Sequence, residues 1–235
     1  MQLIVVLVEC EYDENLGLIA RAMKNFGFNE LRLVNPKADK ESPKAKSRAM
    51  HSMEILKKAR VFSSLERALQ DADYSVATTA VSSKRPGQSR KALTPRGLAE
   101  KFSSTTSKLA LVFGRESSGL TNKEIKKCDF VATIPASKEH AVLNISHACA
   151  IFFHELYNEK KKKLFPAATR TTKNIAVKKF SELATANPKV RDKKKVANCF
   201  KQVISRAPAT EKELTAIIAV LSESLKEIKK RSLKE

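Results

Sequence analysis

The sequence lacks the long apolar run, of roughly 18 residues, that a membrane-spanning helix requires. Its first apolar run, residues 3–8, is too short for that purpose and has no basic flank typical of a secretory signal. Paired cysteines are also missing, since Cys10, Cys128, Cys149 and Cys199 are scattered without zinc-site or disulfide spacing. We therefore expect a cytoplasmic protein whose four cysteines are small buried hydrophobic residues.

Acidic residues are too few to balance the basic ones. The 235 residues include 45 Lys and Arg against 25 Asp and Glu, a net charge of +20. The excess is uneven, because residues 160–235 hold 21 basic and 7 acidic side chains, whereas residues 1–159 hold 24 and 18. A basic region attached to a nearly balanced one is typical of proteins that bind a polyanion. A lysine-rich proteome is the alternative explanation.

The first 159 residues alternate between strand and helix patterns. Short runs of Val, Ile and Leu predict strands that are buried on both faces, as in a parallel sheet. Predicted strands cover residues 3–9, 31–35, 75–80, 109–113 and 131–135, and predicted helices cover residues 18–26, 51–58, 65–70, 95–102, 122–127 and 145–160. We predict an open α/β domain at 1–159 and a basic linker at 160–173. An all-helical domain at 174–235 follows, with helices at 175–183 and 196–205 and a last helix that opens near residue 211.

Ligands of open α/β folds bind on the loops that follow the carboxyl ends of strands. The first such region is residues 14–27. There Asn15 can cap a helix, Gly17 permits a close approach, and Gly27 is a plausible helix stop. The helix dipole disfavours an arginine near a helix N-terminus, so Arg21 is a candidate to meet an anion or a polar reactant. The alternative is an ordinary solvated arginine.

The second region, residues 111–121, runs from a buried strand into a Gly-x-x-x-x-Gly loop that carries Arg115 and Glu116. No Lys-Ser/Thr pair follows Gly119, which excludes a Walker loop. The Gly-x-Gly of a dinucleotide fingerprint is absent as well. The glycines predict close backbone approach to a small ligand.

The third region is the loop before the helix predicted at 145–160. Asn144 leads into that helix, and Ser146 could cap it or face a substrate. His140, His147 and His154 recur every seven residues. Seven residues are two helical turns, about 10.5 Å, which is too far for shared ligation of one ion. We therefore predict no metal site.

Together the three regions resemble the motifs of a known superfamily. They read N-x-G-x-x-A-R-x-x-x-N-F-G from Asn15 to Gly27, F-G-x-E-x-x-G-L from Phe113 to Leu120, and I-P…L-N before the last helix. In this order they resemble motifs one to three of the SPOUT RNA methyltransferases, and most of all the TrmJ-type tRNA ribose methyltransferases. The resemblance covers nearly all of residues 1–159, and the basic helical extension resembles the C-terminal domain of that subfamily more loosely.

The resemblance implies a parallel α/β sheet with a C-terminal trefoil knot, a rare exception to ordinary connectivity. It implies S-adenosylmethionine as cofactor, and a homodimer formed through the last helix of the first domain and the motif-one helix. The implied cofactor-binding residues are Thr78, Thr79, Ala80, Gly114, Glu116, Ile134, Leu143 and Asn144. One position departs from the pattern: bacterial members often carry serine where this chain has Val142.

The implied activity is 2′-O-methylation of tRNA at position 32 of the anticodon loop, with Arg21 as the catalytic residue that stabilises the developing alkoxide. Candidate RNA contacts are Asn15, Arg115, Ser117, Ser146, Lys178, Lys179, Lys193 and Lys194. Arg115 and Ser117 could equally hold the loop itself. Two alternatives stay open: a ribosomal RNA 2′-O-methyltransferase, and a non-catalytic RNA-binding protein with the same fold.

Overall fold

The computed structural model describes residues 1–80, 92–103, 105–137, 139–159 and 167–232. The strands are β1 (Gln2–Val8), β2 (Glu30–Val34), β3 (Arg60–Phe62), β4 (Tyr74–Thr78), β5 (Lys108–Phe113) and β6 (Phe130–Ala132). The helices are α1 (Asp13–Asn25), α2 (Pro43–Ala49), α3 (Met53–Lys58), α4 (Leu65–Leu69), α5 (Pro95–Phe102), α6 (Asn122–Lys127), α7 (Ile145–Asn158), α8 (Arg170–Ala186), α9 (Lys193–Arg206) and α10 (Glu211–Ser232). None of the helices so described is long and apolar enough to cross a membrane.

The strands form one six-stranded parallel sheet in the order β3-β2-β1-β5-β4-β6. Successive residues of β1 point to opposite faces and are almost fully buried on both, which accounts for its continuous apolar run. Helices α1, α5 and α7 cover one face, whereas α4 and α6 cover the other. The parallel α/β sheet expected from the sequence is therefore confirmed.

The order of the strands indicates where a ligand crevice lies. From β1 the chain goes first to β2 and β3 on one side, and it later returns to fill the other side with β5, β4 and β6. In open sheets such a change of direction leaves a crevice at the carboxyl ends of the adjacent strands. The loops that follow β1, β4, β5 and β6 all emerge at this edge because the strands are parallel.

Sequence patterns located the buried elements well and missed two peripheral ones. All five predicted strands exist, and helices α5 and α6 have their expected bounds. The edge strand β3 was missed because it has only three residues, none of them buried. Helix α2 was missed because it offers only Ala45 and Ala49 to the core and shows little apolar periodicity. Helix α1 begins five residues before its expected start at residue 18.

The segment after residue 167 is helical, as expected, but it begins earlier. Helix α8 starts at Arg170 because the Thr169 side chain accepts a hydrogen bond from the Thr172 amide. The predicted linker at 160–173 therefore overlaps the first turn of α8, while residues 160–166 lie outside the described part of the chain. Stacked Phe180 and Phe200 rings, with centroids 3.9 Å apart, join α8 to α9.

The helical segment contacts the sheet through polar groups. Arg170 pairs with Asp129 at 3.1 Å and donates to the Ala72 carbonyl oxygen at 2.7 Å. The Tyr74 hydroxyl donates to the Ala207 carbonyl oxygen at 2.8 Å. Lys173 is buried in this contact, with its Nζ 3.1 Å from the centroid of the Tyr74 ring. The sheet and the helices thus share a fixed polar junction.

Burial of Lys173 predicts pH-dependent stability. Desolvation outweighs the nearby Asp129 and Asp73 carboxylates and lowers the pKa of Lys173 from its ordinary 10.5 to about 7. Between these two pKa values the unfolded chain holds more protons at this position, so stability rises as pH increases through that window. We expect Lys173→Met to abolish this part of the rise. Urea unfolding at pH 7 and 9.5 measures how the free energy of unfolding changes with pH, and Lys178→Met, at an exposed lysine, is the control. An equal change in the free energy of unfolding in both variants would contradict the prediction.

The cysteine prediction holds at three positions. Cys10, Cys128 and Cys149 are buried in the α/β core, and burial raises the pKa of the Cys10 thiol to about 12. Cys199 is exposed on α9, so the expectation of four buried cysteines is wrong there. The reason is tertiary: α9 buries only Ile204 and leaves its other faces at the surface.

Candidate functional site

A cavity of about 630 Å³ lies at the carboxyl edge of the sheet. It is walled by the start of α1 and by the segments that follow β4, β5 and β6. All eight predicted cofactor residues line it: Thr78, Thr79, Ala80, Gly114, Glu116, Ile134, Leu143 and Asn144. Three of the predicted RNA contacts, Asn15, Arg115 and Ser117, line it as well. Three distant parts of the sequence therefore meet in one place.

The loop after β5 is a tight turn that depends on glycine. A Cβ atom at Gly114 would lie 2.2 Å from the Gly119 carbonyl carbon, which is far inside van der Waals contact. The turn is closed by a hydrogen bond of 2.8 Å from the Gly119 amide to the Arg115 carbonyl oxygen. Gly119 itself has φ of +69°, a conformation that side chains rarely adopt. The two glycines bring the backbone close enough to shape the cavity wall.

Arg115 holds this loop through a network of charges. It donates to the Glu9 carboxylate at 3.0 Å, to both Glu124 oxygens at 3.0 and 3.1 Å, and to the Gly119 carbonyl oxygen. Its hydrogen bond keeps the pKa of Glu9 below the ordinary value. Burial opposes ionisation of Glu124, but hydrogen bonds from Arg115 and Thr121 still lower its pKa. These contacts give Arg115 a structural place in the loop, while RNA contact stays a prediction.

Glu116 links the second motif to the first. One of its oxygens accepts from the Glu11 amide at 2.8 Å, and the other accepts from the Asn15 side chain at 3.0 Å. Asn15 in turn accepts from the Asn144 side chain at 3.1 Å. A single chain of hydrogen bonds thus joins the three motifs, and the buried Asn15 side chain has a partner for both its amide nitrogen and its oxygen.

Two predicted helix caps are wrong. Asn15 lies in the first turn of α1, whose N-cap is Tyr12, and the Asn15 amide bonds to Glu116 instead. Ser146 does not cap α7, because the cap is Asn144, whose side-chain oxygen accepts from the Ser146 amide and hydroxyl. Gly27 does follow the end of α1 with φ of +67°, as its predicted role as a helix stop requires.

Arg21 and the lysines lie away from the cavity. Arg21 is exposed on α1, six residues beyond Asn15 and so about 9 Å further along the helix axis, and it does not line the cavity of its own chain. Lys178 and Lys179 lie on α8, and Lys193 and Lys194 lie on α9. The catalytic role of Arg21 and the RNA contacts of the lysines stay predictions.

Three further residues line the cavity, and of these the sequence patterns singled out His140 and Val142 but not Tyr12. Tyr12, His140 and Val142 line it, and Tyr12 and Val142 are 55% and 63% exposed. The signal that could have pointed to Tyr12 is its position in the sequence, just before motif one. In the part of the chain that the structure describes, no group of His, Cys, Asp or Glu is arranged to hold a metal ion.

Parallel strands, a glycine-shaped loop and a cavity over the carboxyl edge define an α/β protein with a small-molecule-sized cavity where such folds hold their ligands. The chain belongs to the SpoU rRNA methylase family, whose model matches residues 2–154. Methyltransferases of this family use S-adenosylmethionine. The resemblance drawn from the three motifs is thereby confirmed, since all three fall within the matched residues.

Similarity to individual proteins extends beyond the matched region. A tRNA (cytidine-2′-O-)-methyltransferase, TrmJ, of Methanocaldococcus jannaschii is 35% identical over 92% of this chain and 96% of its own length. The protein of the same name from Sulfolobus acidocaldarius is 37% identical over 74% of this chain and 73% of its own. The crystal structure of TrmJ from Z. mobilis superposes with a TM-score of 0.69, covers 95% of this chain and 99% of its own, and is 24% identical, which shows a shared fold.

Proposed function

We propose that this chain transfers a methyl group from S-adenosylmethionine to a ribose 2′-hydroxyl of tRNA, at position 32 of the anticodon loop. The observation that carries the proposal is the convergence of the three motifs on one cavity. Similarity to a tRNA 2′-O-methyltransferase over nearly the whole chain supports tRNA as substrate. The protein would act in the cytoplasm.

The cavity fits the cofactor in size and in chemistry. Its volume is within the usual range for small-molecule sites, and its walls combine apolar Ile134 and Leu143 with polar Thr78 and Asn144. S-adenosylmethionine supplies an electrophilic methyl group on a sulfonium sulfur. The segments after β4 and β5 would hold it through backbone groups, with Gly114 permitting the tight turn that shapes this wall of the cavity.

The chain must then activate a poor nucleophile. Loss of the 2′-hydroxyl proton leaves negative charge on the ribose oxygen, and a fixed positive group stabilises that charge in the transition state. We assign this task to Arg21. An arginine side chain stays protonated in proteins, so it would act by electrostatic stabilisation and positioning rather than as a base.

The position of Arg21 supports a homodimer in which each active site uses two chains. Arg21 does not line its own cavity and is exposed on α1, a helix that packs against both α2 and α7. The neighbouring exposed face of α7 carries Ile151, His154 and Tyr157, and Phe26 of the loop after α1 packs its ring against the last two. A second copy seated on this apolar and aromatic face would bury it. We propose that Arg21 serves the ribose held by the partner chain.

A trefoil knot at the carboxyl edge also belongs to the proposal. Leu93, after β4, exchanges backbone hydrogen bonds with Val131 and Thr133 around β6. The chain after β4 and the chain after β6 thus run side by side, and both line the cavity. This proximity is what a knot at that edge requires.

The basic helical segment would supply RNA affinity. Lys178, Lys193 and Lys194 are exposed and can meet phosphates, and Lys179 is partly buried beside Glu182. Within the cavity, Ser117 is the predicted RNA contact with an exposed side chain. Asn15, Arg115 and Ser146 already bond within the chain, so any RNA contact there would have to share those groups.

A methyl-transfer assay with labelled S-adenosylmethionine and unmodified tRNA tests the proposal. We expect a 2′-O-methylated nucleoside at position 32, and no transfer to a matched tRNA with a 2′-deoxynucleotide at that position. Label in ribosomal RNA instead would support the alternative substrate. No transfer to either RNA, together with no cofactor binding by calorimetry, would support the non-catalytic RNA-binding protein.

A further inference from the structure

Tyr12 lies at the mouth of the cavity without a role in holding the fold. It is the N-cap residue of α1, a position where Ser, Thr, Asp or Asn normally satisfies a free backbone amide. Its side chain makes no such bond, and its ring is 55% exposed. Among the described residues its hydroxyl has no hydrogen-bond partner and its ring has no aromatic neighbour. Local structure therefore does not explain a large aromatic side chain at this position.

The backbone around Tyr12 is nevertheless held firmly. The amide of the preceding residue, Glu11, donates to the Glu116 carboxylate at 2.8 Å. The Glu11 carboxylate accepts from the Ser117 amide at 3.0 Å and pairs with Lys37 at 3.0 Å. On the other side, the Tyr12 carbonyl oxygen accepts from the Leu16 amide, the first hydrogen bond of α1. The backbone that carries the exposed ring is thus held by hydrogen bonds between Glu11 and the loop after β5.

The charges around Tyr12 disfavour phosphate as its partner. Glu9, Glu11, Asp13 and Glu14 surround it in the sequence, and Glu116 lies beside it in the cavity wall. Three of these carboxylates are paired with Arg115, Lys37 and Lys44, so the basic side chains nearby are already neutralised and attract phosphate only weakly, whereas a neutral base with a flat π face needs no such charge. Val142, which is 63% exposed, also lines this cavity and adds a second apolar surface at its mouth.

We propose that Tyr12 is a substrate-binding residue that stacks on the base of the nucleotide being methylated, with Val142 as a further apolar contact of that base. The inference rests on the proposed function and specifies how the target nucleotide is held. Stacking on an aromatic ring tolerates any base, so Tyr12 positions the ribose over the cofactor without choosing between cytidine and uridine.

Steady-state kinetics of the full chain with tRNA test this role. We expect Tyr12→Ala to lower kcat/KM for tRNA by a factor of about 5 to 150, the range that follows from the usual effect of removing one stacking aromatic residue. Tyr12→Phe keeps the ring and should stay within about twofold of wild type. Affinity for S-adenosylmethionine, measured by calorimetry, should be unchanged in both variants. Val61→Ala, an exposed apolar residue on β3 far from the cavity lining, is the control.

A tRNA whose target nucleotide has its ribose but no base gives the decisive comparison. If Tyr12 stacks on the base, wild type and Tyr12→Ala should methylate this substrate equally well, because the base on which the ring would stack is absent. Equal kcat/KM of the two proteins on intact tRNA would overturn the proposal, as would equal losses in Tyr12→Ala and Tyr12→Phe or a loss of cofactor affinity. An inactive wild-type protein would instead refute the proposed function.

Discussion

Replacing Arg21 with alanine is expected to lower the turnover number by a factor of about 100 to 1,000, the usual effect of removing one group that stabilises transition-state charge. Affinity for S-adenosylmethionine should change little, because Arg21 does not line the cavity. Single-turnover methylation of tRNA measures the first quantity, and calorimetry measures the second.

The control for Arg21 is Arg96→Ala. Arg96 is also an exposed arginine on a helix, α5, where it pairs with Glu100, and it does not line the cavity. Its substitution removes the same charge and should leave turnover unchanged. If Arg21→Ala also kept normal turnover, the catalytic assignment would be wrong.

Replacing Gly114 with alanine is expected to weaken cofactor binding and to lower methyl transfer by a factor of about 100, which corresponds to the upper end of the usual cost of overpacking, about 3 kcal/mol. The added Cβ would lie 2.2 Å from the Gly119 carbonyl carbon and 2.3 Å from the Leu120 amide nitrogen. Both are backbone atoms, so no side-chain rotation relieves the overlap and the loop must open.

Gly97→Ala is the matched control for Gly114→Ala. Gly97 lies in α5, and its added Cβ would meet only the Thr94 hydroxyl, at 3.2 Å. Alanine also suits a helix better than glycine does. Calorimetric titration with S-adenosylmethionine and far-ultraviolet circular dichroism separate loss of the site from loss of the fold. Normal cofactor affinity in a folded Gly114→Ala protein would refute the role of this loop.

The two inactive variants together test whether Arg21 acts across a dimer. In a mixed dimer of Arg21→Ala and Gly114→Ala, one of the two sites would combine the intact loop after β5 of the first chain with Arg21 of the second chain. Random reassociation makes about half of the dimers mixed, so about a quarter of the wild-type activity should return. If mixed dimers form and no activity returns, Arg21 and the loop after β5 of one chain must serve the same site.

Local sequence predicted the parts of the fold that depend on continuous burial. The strands β1 and β5 are apolar along their length because both of their faces are covered, and this signal needs no knowledge of the partners. The edge strand β3 and helix α2 gave no comparable signal, since each presents few side chains to the core. Cys199 was misplaced for the same reason, because its exposure depends on how α9 packs.

The sequence predicted the parts of the candidate site where the backbone conformation admits few residue types. Glycine at positions 114 and 119 reflects a backbone turn that excludes a side chain at one position and has a positive φ at the other. Asn15 was singled out as a helix cap, because a polar residue near a helix start suggests one, and that reason was wrong. Only the fold shows that its amide connects Glu116 to Asn144. Tyr12 gave no motif signal at all, because one tyrosine among charged residues has no pattern.

By itself the sequence determined the parallel α/β sheet, because apolar periodicity is a local property of the chain, and the resemblance of its three motifs to a known family indicated the family and most of the residues that line the cavity. The tertiary structure alone decided which polar groups meet, since residues 15, 116 and 144 become neighbours only when strands far apart in sequence pair side by side. It also decided that Lys173 is buried against Tyr74 and that Arg21 does not line its own cavity. Such contacts depend on the packing of whole helices against the sheet, which short-range sequence patterns do not record.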